Sequence, residues 1–545
     1  MKRTLSILVS LGIITGLLTS CSSETASTTS TTATTTNGDT SVTAQSDSDG
    51  ATTSADSSET TASGTTELKT LSVFINMSWY PVDSFTGKIP DAIKQATGVD
   101  LDVTIATDSS QLGVMIASGE LPDLVFTDTN VNELSDASVC YSLDDLTKET
   151  GVDFSQSENY EERYKIASSL SEDGQSYTLL NNYNSQDDWS DLQIGAPGQA
   201  CIYYRKDLTD AAGITMPTSL DDFFDTLEQT KAAYPEMTPL GLGGVWKLQT
   251  ISNWIGVPQQ QYDSSTGTYM YDTSTEAYKD FLEYGNQLYL AGDITAEDYA
   301  NENEADGHQR AYNDGCVFYA WYLSGSNLTQ LQSNAVSETA EWAVLSPLGA
   351  VPFGTSKGWA GAFVSKNCSD PAAAATLVAY LNTEEGARTA MWGVEGDDYT
   401  LDDNDVPQFS DEYLEARNDS DTWYSDYNTM FYFGSSAIEE IYMNYSGMDD
   451  TSLDQFSSYA EGYKNYPEIG IAQPSTTSDE GVIKTKLDDM KKNYEAKVIF
   501  TDSDDAFESA WNEYMSALEQ TGVQTYNDYM TKRIAEVKQE YGLSD

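Results

Sequence analysis

Histidine is almost missing from this chain: His308 is the single one in 545 residues. Ser-His-Asp and Cys-His nucleophilic pairs therefore have one place to form, a polar, charged run where a surface histidine is the simpler reading. Cysteine is scarce too. Cys21, Cys140, Cys201, Cys316 and Cys368 lie too far apart for a zinc cluster, and the last four are expected as small buried hydrophobes, with a disulfide left open. Basic residues are few, 27 Lys and Arg against 87 Asp and Glu, for a formal charge of −60. Such a field repels nucleic acid and anionic bilayers and disfavours anionic substrates. There is no phosphate-cradling Gly-rich loop, since Gly241-Leu-Gly-Gly lacks the strand-to-helix context such a loop needs. Asp402-Asp-Asn-Asp405 lacks the Gly and terminal Glu of a calcium loop. Carboxylate pairs are so abundant that a glycosidase pair gains no support from counting. No catalytic motif, cofactor or metal is expected.

What is present begins with Lys2-Arg3 and an apolar run from Leu5 to Leu18, a secretory leader too short to be a good membrane span. It ends in Leu18-Thr19-Ser20-Cys21, which resembles a bacterial lipobox, so residues 1–20 are expected to be removed and Cys21 to carry a lipid. Residues 22–66, mostly Ser and Thr with no aromatic, cannot bury enough apolar surface to fold. From Leu68 onward the composition becomes that of a packed protein, and 545 residues are too many for one core.

Leu71–Ile75 and Leu101–Ile105 read as strands, with a helix over Ile89–Thr97 stopped by Gly98. The central stretch runs from Leu112 to Asp128. Leu112, Met115 and Ile116 have helical spacing, Gly119 stops the helix, Pro122 turns the chain, and Leu124-Val125-Phe126 is a short buried strand. Asp128 then falls at the carboxyl end of a strand, where open α/β sheets place ligands. Tyr177–Leu180 and Ala200–Tyr204 read as strands, Tyr262–Tyr271 as a hairpin, Ala277–Leu290 as a helix and Cys316–Trp321 as a buried strand. A final helical pair is expected at Lys484–Tyr494 and Asp504–Gln539.

Ser118-Gly119-Glu-Leu-Pro122-Asp123 resembles a signature of the extracellular solute-binding proteins of ABC importers, family 1, carbohydrate type. Tyr204-Arg-Lys-Asp-Leu208 followed by Ala212-Gly-Ile-Thr-Met-Pro217 and Phe223 is a second match. Gly358–Ser365 with Asp370–Gly386 is a third, and Gly393–Thr400 matches the family's long-chain subgroup. The resemblance implies an α/β protein of the type II periplasmic-binding-protein-like fold, two doubly wound lobes joined by a hinge. Lobe one is expected at 68–185 plus 357–398 and lobe two at 186–356 plus 399–545, after the leader and a lipidated tether at 21–67.

It also implies a monomeric, non-enzymatic receptor anchored through Cys21 on the extracellular face of the cell membrane. Such a receptor passes a neutral oligosaccharide to ABC permease subunits. A peptide receptor is the alternative within the class, and a secreted glycoside hydrolase or carbohydrate-binding surface module the one outside it. An indole face stacks on the C–H face of a sugar while carboxylates and amides serve its hydroxyls. The expected ligand contacts are Trp79, Trp246, Trp254, Trp321 and Trp359, all at strand ends or loops, with Asp128 as the best hydroxyl acceptor. Tyr203, Glu395 and Trp423 complete the set.

Overall fold

The computed structural model describes residues 68–543, apart from 109, 302, 418, 420, 421, 429, 430, 435, 476 and 477. The leader, Cys21 and the tether lie outside the described residues. Among the described residues, no helix is long and apolar enough to cross a membrane.

Two four-stranded sheets carry the fold. In the first, β1 (Lys69–Ile75) pairs in parallel with β2 (Val99–Ile105) and β3 (Leu124–Thr127), with Ile75 opposite both Ile105 and Phe126. The helices after β1 and β2 end as the sequence dictates, in left-handed Gly98 (φ 71°) and Gly119 (φ 72°), a conformation that glycine adopts without steric cost. The sheet is covered on both faces, as parallel strands require. Leu71, Val73 and Ile75 enter one core, while Phe74, Val125 and Phe363 enter another with Leu112.

The second sheet is built from β4 (Ala200–Arg205), β5 (Thr238–Leu242), β8 (Cys316–Tyr322) and β9 (Trp342–Val344), in the order β5-β8-β4-β9. Here β5 and β8 are parallel while β4 is antiparallel to both its neighbours. The hairpin expected at 262–271 is β6 (Tyr262–Asp263) with β7 (Thr268–Tyr269). The chain then returns to the first sheet as β10 (Gly361–Val364), antiparallel to β3. The helix Pro371–Leu381 follows, with proline in its first turn and Asp370 capping Ala373 N–H.

The Pro122-Asp123 turn acts as a clamp. Asp123 accepts hydrogen bonds from the Ser72 amide (2.7 Å), the Ser72 hydroxyl (2.6 Å) and the Ser369 amide (2.6 Å). Burial acts against its charge, but those donors outweigh it and hold the carboxyl at about 2. The cysteines Cys140, Cys201 and Cys316 are free and buried, and Cys368 is free and half-buried.

Three expectations need correcting. Tyr177–Leu180 is not a strand; it runs irregularly past β10, with the Thr178 hydroxyl donating to the Ala362 carbonyl at 3.0 Å. The C-terminal pair is three helices, Asp479–Ile499, Asp504–Thr521 and Val523–Tyr541, because Gly522 breaks the second at φ 103°. Residues 399–443 were assigned to lobe two, yet Tyr399, Tyr413, Trp423, Tyr427 and Tyr442 pack in the first core. The reason is local: Tyr399 and Phe409 pack edge-on to Trp392, so this aromatic stretch continues the core it has just left.

Between the two cores, Trp189, Leu192 and Ile194 touch both. So does the helix Ala437–Tyr445, whose Ile438, Tyr442 and Met443 enter the first core while Ile441 and Tyr445 enter the second.

Candidate functional site

At the carboxyl ends of β1 and β3, Asn76 donates to the hydroxyls of Thr127 and Thr129 and holds the two loops together. Just beyond, Trp359 Nε1 donates to Asp128 Oδ2 at 3.1 Å. The Trp359 ring stacks on Trp79, with centroids 6.0 Å apart and planes 24° apart, and rests edge-on against buried Phe126. Trp79 is 54% exposed, an unusual position for so large an apolar side chain. Sequence positions 79, 128 and 359 thus form a stacked indole platform with a carboxylate at its edge. Beside it a cavity of about 330 Å³ is lined by Asp128, Asn130, Glu133, Lys357 and Trp359. Lys357 is half-buried without an ion-pair partner among the described residues, and burial lowers its pKa.

On the second sheet, Trp246 lies against Tyr322 with centroids 4.8 Å apart. Both line a cavity of about 520 Å³ together with Gln249, Asn253, Gln261 and Phe353. Tyr322 and Gly198 also line a third cavity, of about 290 Å³, among the segments that pass between the sheets. A Cβ on Gly198 would stand 1.6 Å from the Tyr322 hydroxyl, so only glycine lets that ring lie there.

The other expected contacts sit elsewhere. Trp321 is 4% exposed and packed on His308 at 4.2 Å, which also corrects the reading of His308 as a surface residue. Strand alternation separates neighbours: Trp321 turns inward while Tyr322, the next residue, reaches the cavities. Tyr203 is fully buried, and its hydroxyl lies 3.0 Å from the Tyr322 carbonyl and accepts from the Ser324 amide, which positions the loop after β8. Trp254 is core, although its neighbour Asn253 lines the 520 Å³ cavity. Trp423 is stacked on Tyr427 inside the first core. Glu395 is exposed on a turn bridged to Tyr399 and lines none of the three cavities. Tyr322, Phe353, Lys357, Trp189 and Glu440 were not anticipated. The tryptophan in the polar segment 181–199 was the one signal available for them.

Residues 88–397, more than half of the chain, match the family of bacterial extracellular solute-binding proteins. The chain belongs to that family. Lipoprotein LipO of Bacillus subtilis (strain 168) is 27% identical to it over 273 residues, 46% of this chain and 49% of LipO. The chain thus spans about half the length of that curated relative.

Among solved solute-binding proteins, one from Bifidobacterium longum subsp. infantis superposes with a TM-score of 0.62 at 13% identity, over 88% of this chain and 100% of that one. The Streptococcus pneumoniae substrate-binding protein FusA, in complex with kestose, gives 0.60 at 16% identity, over 86% and 100% of the two chains. The alginate-binding protein AlgQ2, solved without calcium, gives 0.58 at 14%, over 86% and 98%. At these identities the likeness is one of fold: two α/β lobes of the type II periplasmic-binding-protein-like class.

Proposed function

We propose that this solute-binding protein captures a neutral oligosaccharide between its lobes, is anchored through a lipid on Cys21, and delivers its ligand to the permease of an ABC importer. The observation that carries the reading is the stacked Trp79–Trp359 pair, with Trp79 exposed and Asp128 hydrogen-bonded at its edge. Stacking rings suit the C–H face of a sugar, and a carboxylate with a free oxygen suits its hydroxyls. Trp246 and Tyr322 offer the same chemistry at the second sheet. An uncharged ligand fits a cavity in which Lys357 is accompanied by Asp128 and Glu133. The similarity to a kestose-bound protein points the same way. A ligand touching both platforms would favour the closed arrangement by its extra affinity for it.

Calorimetric titration of the protein from residue 68 with neutral oligosaccharides and with short peptides tests this. Heat from sugars alone is the expected result. Heat from peptides alone would replace the sugar receptor with a peptide receptor.

A further inference from the structure

One charged side chain beside the first platform stands without a partner. Lys357 makes no hydrogen bond or ion pair among the described residues. Its side chain is half-buried, and its ammonium still meets solvent. It lines the 330 Å³ cavity together with Asp128. Asp128 is exposed; Trp359 Nε1 donates to its Oδ2, and Oδ1 stays open. A donor and an acceptor of opposite charge thus share one cavity without pairing with each other.

The backbone holds Lys357 in place from both sides. On one side the Asn465 side chain brackets Ser356, accepting from its amide and donating to its carbonyl, both at 2.9 Å. On the other, the Trp359 amide donates to the Asn181 carbonyl at 2.8 Å. Between them Gly358 is left-handed at φ 95°, and a Cβ there would stand 2.5 Å from the Leu180 Cβ. The same segment borders all three cavities in turn. Pro352, Phe353 and Thr355 line the 520 Å³ cavity, Ser356 the 290 Å³ cavity, and Lys357, Gly358 and Trp359 the 330 Å³ cavity. A ligand reaching from Trp246 to Trp359 runs along this segment and meets Lys357. An ammonium drawn partly out of water without a partner costs stability, the usual mark of a group kept for binding.

We propose that Lys357 reads the sugar ring on the Trp79–Trp359 pair: its ammonium donates to one free hydroxyl of that ring while a second hydroxyl donates to Asp128. The inference rests on the oligosaccharide reading above and names what this platform demands of its sugar, a ring with two unsubstituted hydroxyls and no charge. A hydroxyl serves both ends, because it accepts from an ammonium and donates to a carboxylate. A ligand carboxylate would suit Lys357 but would meet Asp128 and exposed Glu133 in the same cavity. A ligand ammonium would suit the two acids and be repelled by Lys357.

The test is a calorimetric titration of wild type, Lys357→Met and Lys357→Arg with kestose, maltotriose and trigalacturonate, joined to apo melting temperatures. Lys357→Met keeps the stem and removes the charge; Lys357→Arg keeps charge and donors. Whichever neutral sugar binds wild type should bind Lys357→Met at least tenfold more weakly, the scale of a hydrogen bond to a charged group, and Lys357→Arg within a few-fold. The apo melting temperature of Lys357→Met should match or exceed that of wild type, because the change removes a half-buried charge that nothing pairs. Unchanged affinity in Lys357→Met overturns the proposal. Weaker affinity together with a lower apo melting temperature would make Lys357 a structural residue and overturn it too. Trigalacturonate binding more tightly than either neutral sugar, and losing that advantage in Lys357→Met, would assign Lys357 to a carboxylate instead. A wild type that binds none of the three refutes the oligosaccharide reading itself, an outcome distinct from a variant that binds as wild type does.

Discussion

At the scale of the residue, two tryptophans with the same sequence credentials have opposite fates. Trp359 stands just before β10 and Trp321 near the end of β8, yet one stacks on exposed Trp79 and the other is 4% exposed. Their alanine variants should separate cleanly. Trp359→Ala and Asp128→Ala are expected to weaken ligand binding by about 1–3 kcal/mol; exposed Asp128 should leave apo stability little changed, while half-buried Trp359 should cost less stability than a core tryptophan does. Trp321→Ala is expected to lower folding stability by about 3–5 kcal/mol through the cavity it leaves. Urea unfolding and calorimetry on the same three variants decide it. A Trp321→Ala protein of wild-type stability would return that residue to the cleft.

Asp123 carries a pH prediction. Its folded-state pKa, about 2, lies below the usual 3.8, so its contribution is present above the unfolded value and is lost as pH falls from near 4 through 2. The loss of stability between those values should be shallower in Asp123→Asn than in wild type. Parallel curves would mean that the clamp adds no charge-dependent stability.

At the scale of the element, the close pass of Gly198 under Tyr322 holds two cavities in shape at once. Gly198→Ala must push the Tyr322 ring aside. The expected result is a loss of ligand affinity of roughly tenfold or more, alongside a destabilisation of about 1–3 kcal/mol from overpacking. Tyr322→Phe in the same background should relieve only part of the clash, because it removes the hydroxyl but leaves the ring carbon Cζ, 2.2 Å from the added Cβ. If the double variant behaves as badly as Gly198→Ala, the collision is with something other than the hydroxyl.

Elements defined by nearby residues were legible in the sequence. The helices ending at Gly98 and Gly119, the helix expected at Ala277–Leu290 and the buried strand at β8 all stand where local spacing places them. The break at Gly522 was missed because the apolar spacing runs on across it, and only the backbone turns there. Tyr177–Leu180 was misread because its alternation serves packing against β10 rather than a ladder.

At the scale of the whole molecule, the charge of −60 predicts how binding responds to salt. A neutral ligand releases no counterions, so its affinity should be nearly flat between low and moderate ionic strength. A steep fall with salt, read by the same titrations, would mark a cationic ligand drawn by the acidic surface. The anchor is checked separately: Cys21→Ala should leave the leader uncleaved or release the protein into the medium, and a variant processed normally yet still membrane-bound would place the anchor elsewhere.

By itself the sequence determined the α/β class, the family and the acidic charge. It also located the residues of the first platform, since strand ends and glycine stops are set by short-range sterics and spacing. Tertiary structure decided which aromatic side chains stay in solvent and which lobe receives residues 399–443. It also decided that Asp128, Lys357 and Trp359 share one cavity. Those outcomes depend on contacts between segments more than two hundred residues apart, such as Trp359 on Trp79 and Asn184 on Ser436. Burial is a property of what packs against a residue from elsewhere in the chain, and local spacing carries no record of it.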